Sequence, residues 1–184
     1  PANDKLNHLS LAEYNLIFTL ELIRFADRKA QNLLRLTLAI FTVAFIGVPP
    51  AVMALEKYAS QGGWRMILFV GTIVLYVACS GCLLGAMISI VKVIRPRREK
   101  KGTQTSVLFF DSVAQMSQDE FLRTLRGMDY DSAVAEMGIQ MYQSAKIARA
   151  KYAAVNTAIH WLLNGVLIGI VFALIMLVSA AWLL

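Results

Sequence analysis

Three stretches of the chain carry no charged side chain. They run from Leu36 to Leu55 (20 residues), from Met66 to Val91 (26 residues) and from Tyr152 to Leu184 at the end. A helix crossing the hydrocarbon core of a bilayer needs about 20 mainly apolar residues. Lipid also forces a spanning segment to satisfy its own backbone polar groups, which a helix does. The pattern therefore predicts three transmembrane helices, over 36–55, 66–91 and 161–184. In the third, Trp161 and Trp182 are separated by about 31 Å at 1.5 Å per residue, one aromatic ring for each interface. Pro49 and Pro50 are expected to end or kink the first span near its far side. Gly62 and Gly63 are expected to open the second, leaving 56–65 as a short external loop of a helical hairpin.

The remaining segments also read as helix. Leu9, Ala12, Leu16, Leu20, Ile23, Ala30 and Leu34 fall mostly at three- and four-residue steps, an apolar stripe on a helix. It starts near Ser10 and runs without Pro or Gly into the first span. Residues 96–105 form a basic polar linker. Ser117-Gln118-Asp119-Glu120 has the form of a capping box that opens a short helix ending before Gly127. Asp129 or Asp131 can cap the next helix. There Val134, Met137, Met141, Ala145, Ala148 and Tyr152 repeat at helical steps toward the third span. The Val107-Leu108-Phe109-Phe110 run is the one short candidate strand. The fold class is an all-α membrane protein whose spans 1 and 3 extend into a cytoplasmic helical domain.

Composition and charge give orientation. Of the 184 residues, 58% are hydrophobic and 16% charged, with a mean hydropathy of +0.58. Soluble domains carry about 25% charged residues. A soluble surface this apolar would not stay in solution, and disorder is excluded because there is so much to bury. The net charge is +6. The basic residues lie beside the apolar runs, which favours a lipid bilayer over a nucleic acid polymer as partner. Arg24, Arg28, Lys29 and Arg35 precede span 1. Lys92, Arg95, Arg97, Arg98, Lys100 and Lys101 follow span 2, and Lys146, Arg149 and Lys151 precede span 3. Positive residues stay in the cytoplasm. Segments 1–35 and 92–160 are thus cytoplasmic, the C-terminus is outside (N-in, C-out), and the chain is a multi-pass protein of a cell membrane. No secretory signal and no long repeat are seen. The sequence opens on Pro1 rather than Met, so a processed chain or a piece of a longer protein is expected.

Candidate chemistry is sparse. Gly81, Gly85 and Ser89 in span 2, and Gly165 and Gly169 in span 3, are small residues four apart. Such spacing lets helices approach closely, either within one chain or in a homo-oligomer. Cys79 and Cys82 have a C-x-x-C spacing, but at mid-bilayer they read as small apolar residues rather than a redox pair. Asn156, His160 and Asn164 share a helix face at the inner edge of span 3 and are either interface residues or the lining of a vestibule. Glu21, Arg24, Asp27 and Arg28 read as ion pairs along a solvated helix. The alternative is a phosphate pocket built from Arg24, Arg28, Lys29, Lys146 and Arg149. Two cysteines and two histidines are too few for a conventional metal site. No nucleotide-binding, hydrolase or metalloprotease motif is present. No metal, cofactor or catalytic activity is expected.

One ordered set of residues carries more. Ala26-Asp27-Arg28-Lys29-Ala30-Gln31-Asn32-Leu33-Leu34 leads straight into a span. Phe109-Phe110 and Ser117-Gln118-Asp119-Glu120-Phe121 follow, and Lys151-Tyr152 precede the last span. Over about residues 10–170 this order resembles the Pycsar transmembrane effectors of bacterial anti-phage defence. The resemblance implies motif residues Asp27, Lys29, Phe109, Phe110, Lys151 and Tyr152. It also implies a function: a partner cyclase makes a cyclic pyrimidine mononucleotide on infection, and the effector then impairs the inner membrane and arrests growth. The sequence has no cyclic-nucleotide-binding β-roll. Two other readings need only the spans and the apolar helices, a membrane anchor or scaffold for a cytoplasmic partner and a small constitutive channel.

Overall fold

The structure, a computed structural model, describes residues 2–59, 63–95 and 110–181. Trp182, the 96–105 linker, and Val107, Leu108 and Phe109 lie outside the described residues. The described residues contain helices and no strand: α1 (Ala2–Ala59), α2 (Trp64–Ile94), α3 (Phe110–Val113), α4 (Gln118–Gly127) and α5 (Tyr130–Ala181).

The helix ends follow from local chemistry. Gly63 precedes α2 with φ 72°, a left-handed conformation that glycine adopts at no steric cost. Arg95 ends α2 in an extended conformation, as expected of a residue followed by proline. The Ser117 side chain accepts from the Glu120 backbone N–H at 3.2 Å and opens α4. Asp129, not Asp131, caps α5, its Oδ1 accepting from Ser132 N–H at 3.1 Å.

Two boundaries differ from the expectations. α1 is already helical at Ala2, not from Ser10, and it continues through Pro49 and Pro50 to Ala59. Proline holds φ near the helical value, so the helical path survives the loss of two N–H donors.

The chain divides into two compact units, Pro1–Asp27 with Pro96–Tyr152, and Arg28–Arg95 with Ala153–Leu184. In the second, α1, α2 and α5 form one core. Ala30, Ile90, Val93, Val155 and Ala158 make one layer of it, with Leu33 and Leu34 packed against them. Cys79, Leu83, Ala86 and Leu162 make the next, with Ile40, Phe41 and Val166. Farther along, the Tyr76 and Phe172 rings stand 6.2 Å apart. Contacts thus climb α5 as they descend α2, so these helices are antiparallel, while α1 and α5 run parallel.

The buried positions keep a 3.5-residue period. On α1 they include Thr19, Ala26, Ala30 and Thr37; on α5, Ser144, Ala148, Val155, Ala158 and Leu162. Such a period belongs to helices packed as a left-handed coiled coil. Polar seam residues are accommodated by bonding back to their own helix. Thr19 donates to Asn15 O at 2.7 Å and Thr37 to Leu33 O at 2.7 Å. The stripe expected from hydropathy is therefore displaced in places. Leu20 is 41% exposed while Thr19 is buried, and Ala145 is exposed while Ser144 is buried.

Two helices, over Met66–Ile94 and Tyr130–Val178, are long and apolar enough to cross a membrane. Only 17% and 11% of their most apolar windows are buried. A core helix of a soluble protein would be buried all round. Here Ile67, Val74, Val77, Leu163, Leu167 and Leu177 are exposed, which suits a lipid environment.

Candidate functional site

In the first unit, the N-terminal part of α1 and the first half of α5 are joined by an ion pair. Lys151 Nζ donates to Asp27 Oδ1. The lysine side chain is 11% exposed and the aspartate 35%. Lys151 stands on the α5 seam, among Ser144, Ala148 and Val155, where every other buried position is small or apolar. A charge in that position needs a partner, and Asp27 supplies it. Asp27 is thus paired between helices rather than along α1 with Arg24 or Arg28, as the sequence suggested. The signal that could have shown this is the seam itself: a lysine at a 3.5-period core position calls for an acid on the facing helix.

The basic residues considered for a phosphate pocket are all exposed. Arg24, Lys146 and Arg149 are exposed in the first unit, and Lys146 Nζ lies 4.5 Å from the centre of the Tyr142 ring. Arg28 and Lys29 are exposed in the second unit. Tyr152 is half-buried, Phe110 begins α3, and Phe109 is outside the described residues.

Within the second unit the small residues divide into two groups. A Cβ added at Gly85 would lie 3.0 Å from the Trp161 ring, and one at Gly165 would lie 3.2 Å from Leu83 and 3.3 Å from Cys82. One at Gly169 would touch Cys79 at 3.5 Å, and Gly81 has nothing within 4 Å. Ser89 is buried and donates to Gly85 O at 2.9 Å. The free, buried Cys79 donates its thiol to Gly165 O at 3.2 Å. Gly85, Gly165 and Gly169 let α2 and α5 pack within one chain. Asn156, His160 and Asn164 are exposed on α5, with Asn156 Nδ2 and His160 Nε2 3.4 Å apart. Among the described residues no three His, Cys, Asp or Glu side chains gather as a metal site requires.

A family model described as the Pycsar effector protein domain matches residues 11–179. The chain belongs to that family. The match takes in α2 to α4 whole and nearly all of α1 and α5, including Asp27 and Lys151. No curated protein and no solved structure matches the chain. As a Pycsar effector domain with apolar helices exposed along their length, the chain is a membrane protein of anti-phage defence.

Proposed function

We propose that this Pycsar effector impairs the integrity of the bacterial inner membrane in response to a cyclic nucleotide, a cyclic pyrimidine mononucleotide being favoured, and so arrests growth on infection. It does so without catalysis. It crosses the bilayer three times, at 36–55, 66–91 and 161–184, with its N-terminus and 92–160 in the cytoplasm. The observation that carries this reading is the family match over residues 11–179, joined to helices that are apolar and exposed over bilayer length. The positive flanks support the orientation. α1 and α5 each run as one helix from the cytoplasmic side into the apolar region, so a displacement of their cytoplasmic parts is passed along stiff rods. The Asp27–Lys151 pair holds those parts in register.

The test is to express the full chain in cells and follow membrane potential while a cyclic pyrimidine mononucleotide is produced. Loss of potential and arrest of growth only with the nucleotide are expected. Unchanged potential and growth across all cyclic mono- and oligonucleotides would sink the reading. In that case a stoichiometric cytoplasmic partner would favour a scaffold instead.

A further inference from the structure

In the first unit, α1 and α5 each carry a second face that the described residues leave exposed. On α1, Leu11, Tyr14, Phe18, Glu21 and Phe25 recur at three- and four-residue steps, with Tyr14 67%, Phe18 50% and Phe25 57% exposed. On α5, Ile139, Tyr142, Lys146 and Arg149 do the same, with Ile139 44% and Tyr142 61% exposed. Each is a potential seam for another helix, and large exposed apolar faces mark contact sites.

The Asp27–Lys151 pair sets the height of one face against the other. Those residues are 124 apart in sequence, and α1 and α5 run parallel. Glu21 lies six residues below Asp27, and Lys146 lies five below Lys151. Phe18 and Tyr142 are level at nine residues below, Phe25 and Arg149 at two, and Tyr14 and Ile139 at thirteen and twelve. Four residues of the α1 face thus have a counterpart on the α5 face within one residue of the same height, and Leu11 lies below them all. An acid matches an ammonium, a ring matches a ring, and a ring matches a guanidinium.

Both faces point away from the seam that the two helices share, so these residues do not meet within one chain. A rotation about the membrane normal brings a second copy alongside with every height unchanged. We propose that the α1 face of one copy docks on the α5 face of the next, Glu21 against Lys146 and Phe18 against Tyr142. The proposal deepens the membrane-effector reading and rests on it for two points, that all copies share one orientation and that the first span begins at Leu36.

Charge selects this contact over its rivals. Pairing α1 with α1 at equal height sets Glu21 against Glu21, and pairing α5 with α5 sets Lys146 and Arg149 against themselves, which like charges disfavour. Lipid tails do not reach these faces. Phe25 and Leu11 precede the first uncharged span residue, Leu36, by about 16 Å and about 37 Å along the helix. A head-to-tail contact of this kind builds a ring when its rotation closes.

The test uses two differently tagged full-length copies expressed together without nucleotide, both with Cys79→Ser and Cys82→Ala. One carries Glu21→Cys and the other Lys146→Cys. Oxidation of membranes is expected to give a disulfide joining the two tags, and far less when the first copy carries Glu13→Cys instead. Separately, Glu21→Lys and Lys146→Glu should each reduce oligomer size in mild detergent, and both changes in one chain should restore it. Absence of the mixed disulfide, or failure of the double reversal to restore assembly, overturns the proposal. A membrane-impermeant maleimide applied to intact cells reads the side on which the two cysteines lie. A wrong orientation and a missing contact therefore give different results.

Discussion

The Lys151 ammonium donates to the Asp27 carboxylate across 124 residues of sequence, from a seam position that leaves the lysine 11% exposed and the aspartate 35%. The two ends of the pair are therefore unequal. Asp27→Ala strands a nearly buried charge, whereas Lys151→Met leaves a carboxylate that water still reaches. Exposed pairs contribute about 0–1 kcal/mol and breaking a buried one costs about 3–5 kcal/mol. Asp27→Ala is expected between these, at about 2–3 kcal/mol, and Lys151→Met at about 1 kcal/mol. Detergent-induced unfolding of the full chain, followed by circular dichroism, measures both. The double variant should be more stable than Asp27→Ala alone. Equal costs for the two single changes, with no coupling, would show that the pair does not hold the helices.

Three glycines predict three different responses. At Gly165 an added Cβ meets Leu83, which is 1% exposed and has nowhere to go. At Gly85 it meets the face of the Trp161 ring, a side chain that is 42% exposed and can swing outward. At Gly81 it meets nothing within 4 Å. Overpacking a tight site costs about 1–3 kcal/mol. Alanine should therefore destabilise most at Gly165, less at Gly85, and not measurably at Gly81. Unfolding midpoints of the three variants give the order, and a destabilised Gly81→Ala would contradict it.

Much of this architecture is legible in the sequence, and the differences have separate physical causes. The apolar runs marked both helices that qualify as spans, over Met66–Ile94 and Tyr130–Val178, and Ser117 and Asp129 announced the starts of α4 and α5. Hydropathy ranks Leu20 above Thr19 and Ala145 above Ser144, whereas the 3.5-residue period places Thr19 and Ser144 on the seam, the Thr19 hydroxyl bonding to its own helix. Pro49 and Pro50 signal an end or a kink, and of these the end does not occur, because proline's φ is compatible with helix. Asp27 looked like a partner for its neighbours on α1 because sequence shows i,i+4 relations and not those between helices. Once the 3.5 period is taken as the guide, Lys151 falls on the seam and its need for an acid becomes visible.

Ser117 is the single side-chain cap of α4, accepting from Glu120 N–H at 3.2 Å, and α4 has no buried residue to hold it otherwise. Losing such a cap costs about 1 kcal/mol. In Ser117→Ala that loss should stay local. Hydrogen exchange is expected to rise across Gln118–Gly127 while α5 and the unfolding midpoint of the whole chain stay unchanged. A global shift would mean that α4 supports the rest of its unit.

Thr37 is fully buried, and its hydroxyl donates to Leu33 O at 2.7 Å, a carbonyl of its own helix. That carbonyl lies within the regular helix, so removing the hydroxyl strands no acceptor. Thr37→Val keeps the branched shape and should change stability by about 0.5 kcal/mol or less, in the direction of greater stability. Thr37→Leu adds volume where the helices are in contact and should cost about 1–3 kcal/mol. Unfolding of the two variants beside the parent separates the roles of shape and polarity at this level of the seam. If valine proved as damaging as leucine, the hydroxyl itself would be the stabilising group, bonded to more than its own helix.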